Sequence, residues 1–138
     1  MKRLAIAYGV GVLLLALLDA LWLGIVAADF YQSRLAHLMA ESPRLDAALA
    51  FYLMYPAGVL LFAVRPALAA GGAARAAWLG AALGFFAYAT YDLTNLATLR
   101  DWPLPIVFVD IAWGSAITAA IAWATCRAAA RLGDKAPR

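Results

Sequence analysis

Charged residues are scarce in this chain. Only 14% of its residues are Asp, Glu, Lys or Arg, whereas roughly a quarter are charged in an ordinary soluble domain. Hydrophobic residues make up 67% of the 138 positions. A domain of this length has a large surface for its volume, so its own core cannot bury so much apolar surface. Lipid must cover the remainder, and we predict one integral membrane domain over residues 1–138.

Cysteine and histidine are nearly absent. The single cysteine, Cys126, excludes an internal disulfide, and with the single histidine, His37, it excludes a zinc site of the usual kind. No basic stripe with interleaved aromatics is present, so we predict no nucleic-acid partner. The sequence also lacks a Ser-His-Asp set, an H-E-x-x-H motif and a Gly-rich phosphate loop. Catalytic residues and cofactors therefore stay unassigned.

Four apolar stretches are long enough for membrane-spanning helices, which need roughly 17–25 residues. They cover about residues 4–28, 47–64, 76–99 and 105–126. Strands are excluded because a lone sheet would leave unpaired edges in lipid. The first stretch is too long for the apolar core of a signal peptide, roughly 7–15 residues, so we expect it to be retained. The predicted fold class is an all-α, four-helix membrane bundle.

Lysine and arginine indicate the orientation, because short loops rich in them face the cytoplasm. The N-terminus carries two, the second loop two and the C-terminus four, against three in the first and third loops together. We therefore predict that both termini are cytoplasmic and that residues 29–46 form an external loop. Leucine spacing in this loop indicates a short interfacial helix at 33–39, or else a solvated connector. The tail at 133–138 is predicted to be disordered.

A weak internal repeat suggests a duplicated helical hairpin. Asp19-Ala20-Leu21-Trp22 in the first helix resembles Asp110-Ile111-Ala112-Trp113 in the fourth, and the third contains Asp92-Leu93-Thr94-Asn95. Two hairpins related by an axis along the membrane normal would show such a pattern. Chance similarity within a limited set of residue types is the alternative.

Three aspartates inside the spans are the sharpest functional signal. Even mild insertion scales assign a cost of about 2.5–3.5 kcal/mol to an aspartate at a helix centre, so Asp19, Asp92 and Asp110 should face the bundle interior. At 1.5 Å per residue they lie roughly 8–13 Å from the outer ends of their helices. They therefore share one layer in the outer half of the bundle.

Aromatic and amide side chains surround this layer. Tyr88, Asp92 and Asn95 share one face of the third helix, and tyrosines of the second helix enter at the same depth. The predicted ligand-binding residues are Asp19, Trp22, Tyr52, Tyr55, Tyr88, Tyr91, Asp92, Asn95, Asp110 and Trp113, with Asp92 as the central acid. Alternatively, the acids are uncharged and join the helices through hydrogen bonds.

Two further features bear on metals and on packing. The three aspartates with His37 have the oxygen and imidazole ligands of a divalent-ion site, but a lone loop histidine is more often solvated, so we assign no metal ligand. Gly80 and Gly84 form a G-x-x-x-G pair that allows two helices to approach closely. The pair belongs either inside the bundle, which we favour, or at a homodimer interface.

The string at residues 88–95, with 97–100, Trp102-Pro103, Asp110-x-x-Trp113-Gly114 and Asp19-x-x-Trp22-Leu23-Gly24, resembles a family of small predicted bacterial membrane proteins, domain of unknown function 2177. The resemblance covers nearly the whole chain. It implies a four-helix protein of the bacterial inner membrane and favours a lipid among the ligands. It carries over no catalytic residue.

We predict that the acidic, aromatic-lined site binds or transports a cationic or amphipathic small molecule or lipid. One alternative is a membrane-embedded enzyme that acts on a lipid or isoprenoid through paired acids. Another is an accessory subunit that stabilises a larger membrane complex. The expected partners are membrane lipids, the ligand, and either a second copy or a membrane complex.

Overall fold

The computed structural model describes residues 2–133, which fold into α-helices with no strand among them. α1 (Lys2–Leu21) continues as a π-helical turn (Trp22–Val26), and α2 is Ala28–Leu35. α3 (Leu45–Val59) continues through a π-helical segment (Leu60–Val64) into α4 (Arg65–Ala69); α5 is Gly72–Thr98 and α6 is Leu104–Gly133. The all-α prediction is confirmed. The predicted tail, beyond the Gly133 that ends α6, lies outside the described residues.

Three helical stretches are long and apolar enough to cross a membrane, namely Arg3–Val26, Leu45–Ala69 and Leu104–Leu132. The third predicted span corresponds to α5, whose 27 residues are roughly 40 Å long at 1.5 Å per residue. Its glycines, tyrosines and Asp92 lower its mean hydropathy, so composition alone does not qualify it. The structure thus supports a membrane protein with three apolar candidate spans and a fourth long helix packed among them.

Glycines bring α5 and α6 into the most extensive helix contact of the described residues. A Cβ atom at Gly80 would lie 2.7 Å from the Ala122 Cβ and 2.7 Å from the Thr118 carbonyl oxygen, closer than real side chains pack. Gly84 faces the backbone of Gly114 at still closer range. The prediction that this glycine pair packs inside the bundle is confirmed.

A buried apolar core joins α1, α3, α6 and the π-helical segment after α3. It includes Leu15, Val59, Val64, Ile117 and Ile121, each at most 2% exposed. Because residues four apart lie on the same side of a helix, Leu15 sits one turn from Asp19 and Ile117 one turn from Trp113, in both cases toward the end that carries the N-terminus. The aspartate layer therefore lies on one side of a closed apolar core.

The segment predicted as the external loop contains α2, which begins at Ala28 and ends at Leu35. The helix indicated by the leucine spacing, at 33–39, is therefore wrong in position, since residues 36–38 form a turn. The π-helical turn ends where the Ala27 amide donates to the Trp22 carbonyl, 2.7 Å away. From there α2 directs Tyr31 back toward α6, a long-range contact that leucine spacing does not report.

Candidate functional site

A cavity of about 570 Å³ lies at the end of the molecule away from the N-terminus, between α1, α3, α5 and α6. Its wall includes two carboxyl groups and a majority of aromatic side chains, and no lining residue is basic. Seven of the ten predicted site residues line it, and five others complete the wall. The lining residues are Asp19, Leu23, Tyr31, Ala48, Phe51, Tyr52, Tyr55, Ala87, Tyr88, Tyr91, Asp110 and Trp113.

Asp19 supplies one of the two carboxyl groups from α1. It is 5% exposed, and the Trp113 indole of α6 and the Tyr52 hydroxyl of α3 face its carboxyl. Both groups are able to donate, and a donor close to a buried carboxyl offsets part of the cost of removing it from water. Three helices thus hold Asp19 at the cavity wall.

Asp110 supplies the second carboxyl group and is tied to two neighbouring elements. The Tyr31 hydroxyl of α2 donates a hydrogen bond to Asp110 Oδ1, and the Trp22 indole nitrogen donates to the Tyr31 hydroxyl at 3.2 Å. Burial, and then the hydrogen bond to Asp110, raise the pKa of Tyr31 above its usual value of 10.0. The hydroxyl therefore stays protonated, and able to donate, throughout the physiological range.

Two tryptophan rings are stacked on this side of the aromatic wall. The Trp22 ring stacks on Trp113 with centroids 4.2 Å apart and planes 6° from parallel. Trp22 is the first residue of the π-helical turn, and such turns occur often at functional sites. The turn widens α1 at the point where the stacked pair and the start of α2 meet, so it sets both the indole position and the entry of Tyr31.

Tyr88 projects from α5 across the cavity toward α6. A Cβ atom at Gly114 would overlap the Tyr88 ring, so only glycine at 114 lets the ring lie this close to α6. The Tyr88 hydroxyl lies within electrostatic reach of both Asp19 and Asp110. Nearby, the hydroxyls of Tyr55 and Thr118 are hydrogen-bonded at 2.7 Å, which joins α3 to α6 at the cavity floor.

Asp92, the predicted central acid, does not line the cavity. Its residue is fully buried, and neither carboxyl oxygen has a hydrogen-bond partner among the described residues. The Trp102 indole N–H faces the carboxyl without reaching hydrogen-bond geometry, and Asp110 is the neighbouring acid. Asp92 therefore lies behind the wall, next to the connection between α5 and α6.

Trp22 and Asn95 are the other two predicted residues outside the lining. Trp22 supports the wall from behind through its stacking on Trp113. The Asn95 amide faces the Tyr91 hydroxyl. Tyr91 itself is 57% exposed and packs edge-on against Trp102 with centroids 5.8 Å apart. Trp22 and Asn95 therefore position aromatic side chains that line the cavity, and do not line it themselves.

The threonine stripe of α5 has local partners. Thr90 and Thr98 donate to carbonyl oxygens four residues earlier at 2.6 and 2.7 Å, and Thr94 does so at 2.5 Å. Threonines in membrane helices commonly satisfy themselves in this way. Their hydroxyls are therefore already bonded to the backbone of α5.

The described residues contain no group of three or more His, Cys, Asp or Glu side chains arranged to hold a metal ion. His37 is exposed and lies in the turn after α2. The cluster of His37 with the three aspartates that a divalent-ion site would require is therefore not present between residues 2 and 133.

The sequence interpretation missed Tyr31 and Phe51. Phe51 lies four residues before Tyr55, which places both on one face of α3, so helical spacing was a usable signal. Tyr31 gave none, because a Phe30-Tyr31 pair beside the end of a span reads as part of the interfacial aromatic belt. Its contact with Asp110 spans 79 positions, and only the folded structure shows it.

A family model described as "Predicted membrane protein (DUF2177)" matches residues 4–127. Neither a curated protein nor a solved structure matches the chain. The match covers most of the chain and includes every residue that lines the cavity.

Proposed function

Because the chain belongs to the DUF2177 family of predicted membrane proteins, we propose that it is a membrane-embedded binding protein whose cavity takes an amphipathic organic cation. One observation carries the proposal. Two carboxyl groups, Asp19 and Asp110, open into a cavity walled by tyrosine, tryptophan and phenylalanine, with no basic lining residue. A cationic lipid headgroup and a free organic cation share the chemistry that such a wall selects.

The aromatic faces and the carboxyl groups act on the same part of the ligand. A cation over a tryptophan or tyrosine ring gains about 0.5–1 kcal/mol when exposed and about 2 kcal/mol when desolvated. A carboxylate in a poorly hydrated wall adds an attraction that water screens only weakly. Leu23, Ala48, Phe51 and Ala87 form an apolar part of the lining, which suits the hydrocarbon portion of an amphipathic ligand.

The floor of the cavity favours binding over an open transport path. The core that includes Leu15, Val59, Ile117 and Ile121 is at most 2% exposed and lies between the cavity and the opposite end. α5 and α6 also meet at backbone distance around Gly80 and Gly84. Passage of a ligand would require these helices to separate, so binding is the function that this conformation supports best.

We place the cavity at the periplasmic side of a bacterial inner membrane, in a four-span protein with both termini in the cytoplasm. The lysines and arginines support this orientation, and α5 supports the fourth span by its length and its packing along α6. Both ends of α5 can be tested in a Cys126→Ala background, which removes the single native thiol.

We expect an impermeant maleimide to label Ser33→Cys and Leu99→Cys in intact spheroplasts, and Ala70→Cys only after the membrane is permeabilised. All three positions are exposed in the structure. Labelling of Ala70→Cys and Leu99→Cys from the same side would show that α5 does not cross the membrane. Reversed labelling of all three would overturn the orientation.

Binding itself is testable with tetraphenylphosphonium, a lipophilic cation, titrated against the protein in lipid nanodiscs by native mass spectrometry. We expect Asp19→Asn and Asp110→Asn each to weaken binding about tenfold, because one hydrogen bond or contact with a charged group contributes about 1.5–3 kcal/mol. Tyr31→Phe keeps the ring and removes only the hydroxyl that donates to Asp110. The Asp110 carboxyl is then held less firmly at the cavity wall, so we expect the bound cation to dissociate faster.

The matched control is Asp29→Asn, which makes the same charge change at an exposed position that does not line the cavity. The neutral triphenylphosphine oxide controls for partition into lipid. Equal affinity of wild type, Asp19→Asn and Asp110→Asn would make the acids structural. Equal affinity for the neutral compound would mean that the wall selects apolar volume and not charge.

A further inference from the structure

The end of the molecule opposite the cavity is basic. Arg3, Arg65, Arg75, Arg127 and Arg131 lie there, all exposed. The acids within residues 2–133 belong instead to the half that contains the cavity, at positions 19, 29, 41, 46, 92, 101 and 110. The salt bridge found among the described residues, Arg44 to Asp46, is also in that half. The described part of the chain thus offers these five arginines no carboxylate.

Two of the five arginines form a cleft with apolar walls. A cleft of about 270 Å³ between α1 and α4 is lined by Arg3, Leu4, Arg65, Leu68 and Ala69. The structure assigns to it a second ligand, distinct from that of the cavity: we propose that Arg3 and Arg65 bind the phosphate group of an anionic phospholipid. The apolar lining would contact the beginning of the acyl chains.

Arg3, Arg65 and Arg131 have no bonded partner among the described residues, and of these three Arg3 and Arg65 share the cleft. Arg127 lies over the Trp123 ring with its guanidinium carbon 5.1 Å from the centroid, and Arg75 donates to the Ala70 carbonyl at 3.4 Å. Neither Arg3 nor Arg65 is bonded to another side chain or backbone group within residues 2–133. Their guanidinium donors are therefore available to a ligand.

The geometry of arginine suits phosphate. A guanidinium group presents a planar fork of donors that pairs with phosphate oxygens two at a time, and such charge-assisted bonds are roughly twice as strong as neutral ones. Basic pockets between membrane helices on the cytoplasmic side are known sites for acidic lipid headgroups. Leu4, Leu68 and Ala69 would gain nothing from free phosphate, so the lining favours a lipid source.

The test uses the full chain, purified in mild detergent, and phosphatidylglycerol as the anionic probe. Native mass spectrometry counts retained lipid and gives its apparent affinity. We expect Arg3→Gln and Arg65→Gln each to lower the affinity about tenfold. The matched control, Arg75→Gln, removes one exposed charge at the same end outside the cleft and should leave the affinity unchanged. Arg3 and Arg65 are exposed, so the variants should fold, which their thermal transitions can verify.

Three outcomes would overturn the proposal. Equal retention by wild type and both cleft variants would leave Arg3 and Arg65 with a role in membrane orientation only. Equal losses in Arg75→Gln would indicate general attraction to a basic surface and not a cleft. Displacement of the lipid by millimolar inorganic phosphate would identify free phosphate as the ligand. Retention lost only in the cleft variants and unaffected by phosphate would support a phospholipid site.

Discussion

Replacement of Gly84 by alanine is expected to unfold much of the protein. A Cβ atom there would overlap the carbonyl group of Gly114 and approach the Thr118 hydroxyl. The first of these is backbone of the facing helix and cannot rotate away as a flexible side chain can. Overpacking of a core costs about 1–3 kcal/mol and occasionally more. Because α5 and α6 must separate to admit the methyl group, we expect a loss at or above the upper end of that range.

The measurement is the thermal transition of the detergent-purified protein, together with its size-exclusion profile. Gly9→Ala is the matched control, because a Cβ at Gly9 meets nothing within 4 Å and alanine is the better helix former by about 1 kcal/mol. It should leave the transition unchanged or raise it. A Gly84→Ala protein as stable as Gly9→Ala would contradict the close packing of α5 on α6.

The G-x-x-x-G pair shows what local sequence can predict about this fold. Small residues at spacing four indicate a close helix contact, and Gly80 and Gly84 make one with Thr118, Ala122 and Gly114. The spacing does not say which helix is the partner, which is why a homodimer interface was an open alternative. The partner is decided by the short connection between α5 and α6, which makes them antiparallel neighbours.

The two π-helical segments were beyond prediction. Trp22–Val26 and Leu60–Val64 are apolar runs that read as ordinary helix, because a shift of one residue in backbone hydrogen bonding leaves no mark on composition. At the π-helical turn Trp22–Val26 the chain turns back after α1, which lets Tyr31 contact Asp110. That contact is long-range, so the local sequence does not indicate the turn.

The acidic layer shows the corresponding limit at the site. Depth along a helix is predictable from a rise of 1.5 Å per residue, and Asp19 and Asp110, which lie at similar depth, both line one cavity. Rotation about the helix axis is less well determined. Tyr88 and Asp92 are four residues apart on α5 and so nearly share a face, yet Tyr88 lines the cavity and Asp92 lies behind it. A small difference in rotation about the helix axis therefore decides whether a side chain lines the cavity or lies behind its wall.

Asp92→Val is expected to stabilise the protein. The Asp92 carboxyl is fully buried without a hydrogen-bond partner among the described residues, and a buried polar group left unsatisfied costs about 1–3 kcal/mol. Valine removes that cost, and the Trp102 indole N–H, which has no partner beforehand, loses nothing. We therefore expect the free energy of unfolding, measured by denaturation in mixed micelles, to rise by about 1–3 kcal/mol. Asp92→Asn keeps an unpaired polar group and should raise it less.

Asp19→Val is the control for Asp92→Val, because it removes a carboxyl that the Trp113 indole and the Tyr52 hydroxyl face. Two donors face the Asp19 carboxyl, whereas the Asp92 oxygens are buried without a partner, so loss of Asp19 should lower stability. Opposite signs at the two positions would separate an acid held by its neighbours from one that the fold tolerates at a cost. Loss of stability at both would show that Asp92 joins helices through a bond to Trp102, which is the structural interpretation of the aspartates. A third outcome is an Asp92→Val protein that is more stable but binds the lipophilic cation less well. That result would give Asp92 a role in binding, exerted on the ligand through the neighbouring Asp110. The role would explain why an unpaired carboxyl is kept behind the cavity wall.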